Sequence, residues 1–89
     1  MMGGGRGRAL PEPGGWLFGD VQQAGHGTLL VVCGGLSLSQ RDIWVTADLN
    51  YSWTRDDGRA SYLRAGDQVL MLVDADLQDY YLLRKVSWQ

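Results

Sequence analysis

From residue 16 onward, apolar residues occur in short runs that glycine and aspartate interrupt every few positions. None of these runs continues at helical spacing over ten or more positions, so the pattern predicts strands rather than helices. The clusters between the runs favour turns, because glycine permits a positive φ and aspartate bonds its own backbone. The predicted strands are residues 16–22, 28–33, 42–46, 50–54, 68–73 and 80–88.

Five or six short strands in a chain of 89 residues are too few for two packed sheets of the immunoglobulin size. The sequence therefore predicts an all-β fold, a small closed or nearly closed barrel of OB-like or SH3-like type, over residues 16–89. Residues 1–15 contain six of the 13 glycines and both prolines. This composition offers little to bury, so it predicts a flexible Gly/Pro-rich N-terminal arm.

Two stretches leave alternatives open. Residues 70–83 are compatible with one helix, but the carboxylates bunch in the middle, and β-branched and aromatic residues flank them. A hairpin is therefore the favoured prediction. In residues 81–88, strict alternation places Tyr81 and Leu83 on one face and Leu82, Arg84 and Val86 on the other, without showing which face is internal.

Five segments carry a family resemblance. Residues 63–72 have the form L-x-x-G-D-x-V-L-x-L, and after an acidic turn residues 80–86 supply a second apolar strand. Upstream, residues 16–21 contain F-G-x-V, residues 27–32 supply the next strand, and residues 36–46 contain L-x-L followed by I-W-V-T. In this order they resemble a family of small proteins encoded in the baseplate clusters of contractile phage tails and defective prophages, next to the tail hub.

The resemblance implies an OB-like barrel that joins the tail hub to the central spike by protein–protein contacts. The partners it implies are the hub protein, the spike protein and further copies of the chain, arranged as a trimer around a threefold axis. It also implies assembly in the bacterial cytoplasm and a final place in the virion tail, the baseplate or a related injection particle.

Composition agrees with a role in binding other proteins. Four tryptophans are more than a core of this size easily hides, and aromatic residues are enriched in interfaces. The predicted interface residues are Trp44, Tyr51, Trp53, Tyr62 and Trp88.

The alternative function is a free-standing OB-like module that binds single-stranded nucleic acid or a small ligand. Arginines lie near these aromatic residues, as in single-strand binders. Aspartates in the same stretch and a net charge of -2 oppose phosphate binding, so nucleic acid is not the expected partner.

No enzymatic activity, cofactor or metal site is predicted. Asp74, Asp76 and Asp79 lack the glycine and glutamate of a calcium loop and are expected at a solvated hairpin tip. Cys33 is expected to be a small buried hydrophobe, and His26 an ordinary loop residue. The longest apolar runs have five residues, so neither a membrane span nor a secretory signal is predicted.

Overall fold

The computed structural model describes residues 15–74 and 79–87, which form one six-stranded sheet. The strands are β1 (Trp16–Gly25), β2 (Thr28–Cys33), β3 (Leu36–Ser39), β4 (Ile43–Val45), β5 (Gln68–Asp74) and β6 (Asp79–Val86). Their spatial order is β3-β2-β1-β5-β6-β4, and every neighbouring pair is antiparallel except β4 and β6, which run parallel. The predicted all-β fold is confirmed, with no helix in the described part of the chain.

The sheet is strongly curled because its two outermost strands are neighbours in sequence. β3 ends at Ser39 and β4 begins at Ile43, so four Cα–Cα steps of at most about 15 Å in total join the two edges. Asp42 tightens this connection: its amide donates to the carbonyl of Ser39 at 2.9 Å, and its carboxylate accepts from the Ser39 amide at 2.9 Å. The result is a curled half-barrel, a small OB-like barrel as predicted.

The core lies on the concave side of the sheet. In β2, buried and half-buried positions alternate strictly, so Leu29, Val31 and Cys33 point inward. Cys33 is thus buried, as expected. The buried apolar set is Val21, Leu29, Val31, Cys33, Leu38, Ile43, Leu63, Val69, Met71 and Leu82. Alternation along the strands therefore assigns their residues to an inner or an outer side, except at bulges in β1 and β6.

Residues 70–74 and 79–83 lie in the two strands of a hairpin, and the helical alternative is wrong. β5 and β6 pair antiparallel from Gln68 and Val86 to Asp74 and Asp79. Residues 75–78, with Asp76 of the predicted hairpin tip, lie outside the described residues, as do the proposed arm up to residue 14 and the last two residues.

A β-bulge settles the register of β6. Leu70 pairs with Arg84 and Met71 with Leu82, so Leu83 is an extra residue between the two pairs. Met71 and Leu82 are fully buried, whereas Arg84 is exposed on the outer side. Strict alternation therefore does not hold at Leu83, and the register that the sequence left open has Leu82 on the inner side.

Two predicted strands need correction. Residues 50–54 form no strand; Asn50 makes only an isolated bridge to Tyr62. Its side-chain oxygen accepts from the amide of Ser52 at 2.7 Å, a local turn that competes with strand pairing. The predicted strand 42–46 is reduced to Ile43–Val45, and β3 at Leu36–Ser39 was not among the predicted strands.

Candidate protein-docking face

The irregular segment 46–67 between β4 and β5 contains an aromatic anchor. The ring of Trp53 stacks on that of Tyr62, with centroids 5.7 Å apart and 9° between the planes. The indole nitrogen of Trp53 donates a hydrogen bond of 2.9 Å to the carbonyl oxygen of Leu63, a fully buried residue. Gly25 lies so close that a Cβ on it would be 2.8 Å from the Trp53 ring. Trp53 therefore fastens the segment to the end of β1.

Backbone hydrogen bonds reinforce this attachment. The amide of His26 donates to the carbonyl of Trp53 at 2.7 Å, and the amide of Gly27 donates to that of Tyr51 at 3.3 Å. Tyr51 is half-buried and packs against the core. The segment is thus held at the β1–β2 turn by both its side chains and its backbone.

Two of the three arginines of this segment, Arg59 and Arg64, are bound by its own acidic groups. Nε and Nη2 of Arg64 donate to the two carboxylate oxygens of Asp56 at 2.6 and 2.7 Å. The hydrogen bond from Arg64 holds the pKa of Asp56 at about 2, below its ordinary 3.8. The Arg64 guanidinium also lies 5.6 Å from the ring centre of Tyr62, and Arg59 pairs with Asp57 at 3.2 Å. These charges are neutralised within the segment.

A polar link joins the same segment to the sheet. Nζ of Lys85 forms an ion pair of 3.1 Å with Asp67 and donates to the carbonyl of Tyr62. The same carboxylate accepts from the amide of Arg64 at 2.8 Å, and the Asp67 carbonyl accepts from the amide of Val21 at 2.8 Å. Segment 46–67 is therefore fixed to β1 and β6 by groups that satisfy one another.

The outer side of the sheet, by contrast, carries exposed aromatic side chains. Trp16 of β1 pairs with Leu72 of β5, which pairs in turn with Tyr81 of β6. Tyr81 pairs with Trp44 of β4. These four residues, here called the apolar row, cross four strands over about 14 Å, from the usual strand spacing. Trp16 and Trp44, at its two ends, are each 64% exposed.

A second row lies beside the apolar row. Phe18 of β1 pairs with Leu70 of β5, which pairs with Arg84 of β6. Phe18 is 51% exposed. Arg84 is exposed and forms no ion pair with any residue that the structure describes. A shallow groove of about 320 Å³ runs along this row, lined by Phe18, Leu70, Arg84, Lys85, Val86 and Ser87. The two rows together are called the outer face.

The opposite side of the apolar row is acidic. Asp74 of β5 pairs with Asp79 of β6, two residues before Tyr81. Desolvation first, and then the charges of Asp79 and Asp74, raise the pKa of Tyr81 above its ordinary value. Along β6, the outer face thus has a carboxylate on one side of the apolar row and a guanidinium on the other.

The predicted interface residues fall into separate places. Trp44 is part of the apolar row, whereas Tyr51, Trp53 and Tyr62 lie in segment 46–67, where all three are half-buried. Trp88 lies outside the described residues. An interface role for these residues stays a prediction.

Sequence reasoning missed Trp16 and Phe18 as exposed aromatic residues. The signal was the alternation along β1, in which Leu17 packs against the core and Val21 is fully buried, so Trp16 and Phe18 face outward. Gly19 hides this alternation in the sequence, because a glycine occupies a position where an inward apolar side chain is expected. A Cβ there would be 2.8 Å from Val31, so the close packing of the barrel requires this glycine.

Other chemistry is sparse in the described part of the chain. Burial raises the pKa of the Cys33 thiol, the opposite of what activates a nucleophilic cysteine. Residues 15–74 and 79–87 contain no group of three His, Cys, Asp or Glu side chains placed to hold a metal ion. They also contain no helical segment long and apolar enough to span a bilayer.

Comparison of the chain with models of known protein families finds no match, and comparison with curated proteins finds none either. The fold and the surface therefore define the class: a small OB-like barrel with an aromatic outer face.

Proposed function

We propose that the protein is a non-catalytic assembly component that joins the tail hub to the central spike of a contractile phage tail or a tail-derived injection particle. The outer face carries the proposal, because two indoles and a phenyl ring are exposed on the outer side of the sheet. The sequence resemblance over residues 16–88 supplies the setting, including assembly in the bacterial cytoplasm and a place in the baseplate.

The outer face has the chemistry of a docking surface. Contiguous exposed apolar side chains mark interaction sites on soluble domains, since burying them is favourable by about 25 cal/mol per Å². Tryptophan is the residue type most enriched among the anchors of protein interfaces. Trp16 and Trp44 lie on paired strands, β1 with β5 and β4 with β6, so little order has to be gained on binding.

The alternative function, binding of single-stranded nucleic acid, is less favoured by the charges. Arg59 and Arg64 are paired with Asp57 and Asp56 and stay near the aromatic anchor. Among the described residues, Arg84 is the one cationic side chain of the outer face. Binding to a phosphate backbone needs several cations along one groove.

The test is co-expression of the full chain with the hub and spike proteins encoded in the same genome. We expect the chain to purify with one of them. The double substitution Trp16→Ser with Trp44→Ser should reduce its recovery at least about tenfold, as the loss of two anchor residues implies. Leu36→Ser is the matched control, because Leu36 is an exposed apolar residue of β3 that is not on the outer face.

Equal loss in the Leu36→Ser control, or full recovery of the double variant, would contradict a docking role for the outer face. Failure to bind either protein, together with oligonucleotide binding that weakens with salt, would support the nucleic-acid alternative instead.

A further inference from the structure

We propose that the outer face recognises one β-strand of its partner protein, which lies along β6 and presents a basic, an apolar and an acidic side chain in that order. The inference rests on the proposed function, because it takes the outer face to be the surface that docks the hub or the spike. It deepens that function by giving the chemistry of the docked segment. Only β5 and β6, two adjacent strands of one hairpin, are needed to form this contact.

The outward side chains of β6 follow the order acid, aromatic, base. Asp79, Tyr81 and Arg84 occupy consecutive outward positions, because the bulge places one extra residue between the last two. Their pairing partners in β5, Asp74 for the first and Leu70 for the last, are four residues apart. At about 3.4 Å per residue, the carboxylate position and the guanidinium position are therefore about 14 Å apart along the hairpin.

This spacing favours an extended segment of the partner over a helical one. In a strand, residues i, i+2 and i+4 point to one face, and the outer two are about 14 Å apart. In a helix, about 14 Å corresponds to about nine residues, or two and a half turns, so the two side chains point to opposite sides. One face of a single strand can therefore reach Asp79 and Arg84 together, with an apolar residue over Tyr81 between them.

Arg84 and the groove beside it fit an acidic side chain. Arg84 is exposed and forms no ion pair with any carboxylate in residues 15–74 and 79–87. The groove of about 320 Å³ is lined by Phe18, Leu70 and Val86 on this part of the outer face. The methylene groups of a glutamate can pack on these apolar side chains, while its carboxylate accepts two hydrogen bonds from the guanidinium.

The other end of β6 favours a cation. Asp74 and Asp79 lie directly opposite each other in the hairpin, and like charges in this position destabilise a sheet. A lysine or arginine of the partner would offset that repulsion. If the partner strand were reversed, its acid would meet these two carboxylates and its base would meet Arg84, so both contacts would be repulsive. The charges thus fix the direction in which the basic, apolar and acidic residues run along β6.

The test uses the full chain and the hub or spike protein that purifies with it. Arg84→Glu and Asp79→Lys should each raise the dissociation constant roughly fivefold, since each turns attraction into repulsion at one end of the strand. Arg55→Glu and Asp48→Lys are the matched controls, because they make the same changes of net charge at exposed positions of segment 46–67. The controls should leave the dissociation constant unchanged. Isothermal titration calorimetry measures it, and circular dichroism of each variant checks that it folds.

Charge exchange with the partner identifies the docked strand. Its sequence should read basic-x-apolar-x-acidic in one chain direction or the other, because alternate residues of a strand share a face. Replacing its acidic residue by lysine should restore the affinity of Arg84→Glu to within about twofold of the wild type, since the contact is attractive again. If a charge-reversed variant does not fold, the neutral variants Arg84→Gln and Asp79→Asn replace it, each with an expected loss of about twofold.

The outcomes separate this inference from the proposed function. Strand recognition would be overturned by variants that bind as tightly as their controls, by equal losses in the controls, by a partner that lacks such a segment, or by a failed charge exchange. Each of these results leaves the docking role of Trp16 and Trp44 standing. A wild-type chain that binds neither the hub nor the spike would overturn the proposed function, and the inference with it.

Discussion

The two aromatic groups of this molecule differ in how their side chains are satisfied. In segment 46–67, Trp53 is stacked, hydrogen-bonded and packed against Gly25, and the neighbouring Arg64 is bound by Asp56. On the outer face, Trp16 and Trp44 are 64% exposed, and nearby Arg84 has no ion pair within the described chain. The same residue types thus serve internal attachment in one region and an open surface in the other.

The difference shows why a count of aromatic residues does not locate an interface. Tryptophan stabilises a fold when its ring and its N–H group are both used internally, and it serves binding when the ring remains accessible. The comparison predicts that the two groups respond oppositely to mutation: one in the free energy of unfolding, the other in association.

The largest expected effect is on Trp53. Replacing it by alanine removes the stack on Tyr62, the hydrogen bond to Leu63 and the packing on Gly25. We expect a loss of about 3 kcal/mol in the free energy of unfolding, toward the lower end for large-to-small changes because the ring is half-buried. Urea denaturation, followed by far-ultraviolet circular dichroism, measures it.

Trp44→Ala is the comparison variant. Its exposed ring should change the free energy of unfolding by less than about 0.5 kcal/mol when both proteins are measured at concentrations at which the chain is monomeric. Similar losses of unfolding free energy at Trp53 and Trp44 would show that the two aromatic groups do not differ in their contribution to stability.

An intermediate effect is expected at Gly25, which tests the close approach of the Trp53 ring. Gly25 and Gly27 both have positive φ, 109° and 80°, so alanine is strained at either position. Only at Gly25 does the added Cβ meet the Trp53 ring, at 2.8 Å; at Gly27 nothing lies within 4 Å. Gly25→Ala should therefore lose about 1–3 kcal/mol more than Gly27→Ala, the usual cost of overpacking.

Thermal or urea unfolding of both alanine variants, beside the wild type, gives this difference. Equal losses would mean that the ring moves aside at no cost, and the anchor would then be looser than its geometry indicates.

The same contrast explains how far the sequence predicts this molecule. The all-β fold is predictable from the sequence because β2 is a short apolar run, in which buried residues alternate. Glycines 34 and 35, which both have positive φ, then provide a turn signal. The sequence does not predict which aromatic residues lie next to one another, because this depends on pairing between distant strands. Trp16 and Trp44 share a row only through β5 and β6, and the bulge at Leu83 breaks the period of β6.

Local side-chain chemistry limited the strand assignment as well. Asn50 begins a stretch with strand-like residues, yet its hydrogen bond to the amide of Ser52 turns the chain locally. A period-two pattern cannot reveal such competition, since the turn uses a side-chain oxygen rather than a backbone group.

The smallest expected effect concerns the Arg64–Asp56 pair, which tests whether Arg64 is bound within segment 46–67. The folded-state pKa of Asp56 is about 2, below the ordinary 3.8, because Arg64 stabilises the carboxylate. The pair therefore stabilises the fold fully above about pH 4, and this contribution is lost as the pH falls toward 2. A pair this exposed is screened by solvent, so the effect is small.

Carbon-13 chemical shifts of the Asp56 carboxyl measure the midpoint directly, and Asp56→Asn supplies the control for stability. The gap in the free energy of unfolding between the wild type and Asp56→Asn should be constant from neutral pH to about pH 4 and should close below it. A midpoint near 3.8 would show that Arg64 is free in solution. In that case Arg64 would be as available as Arg84, and the contrast between these two arginines would disappear.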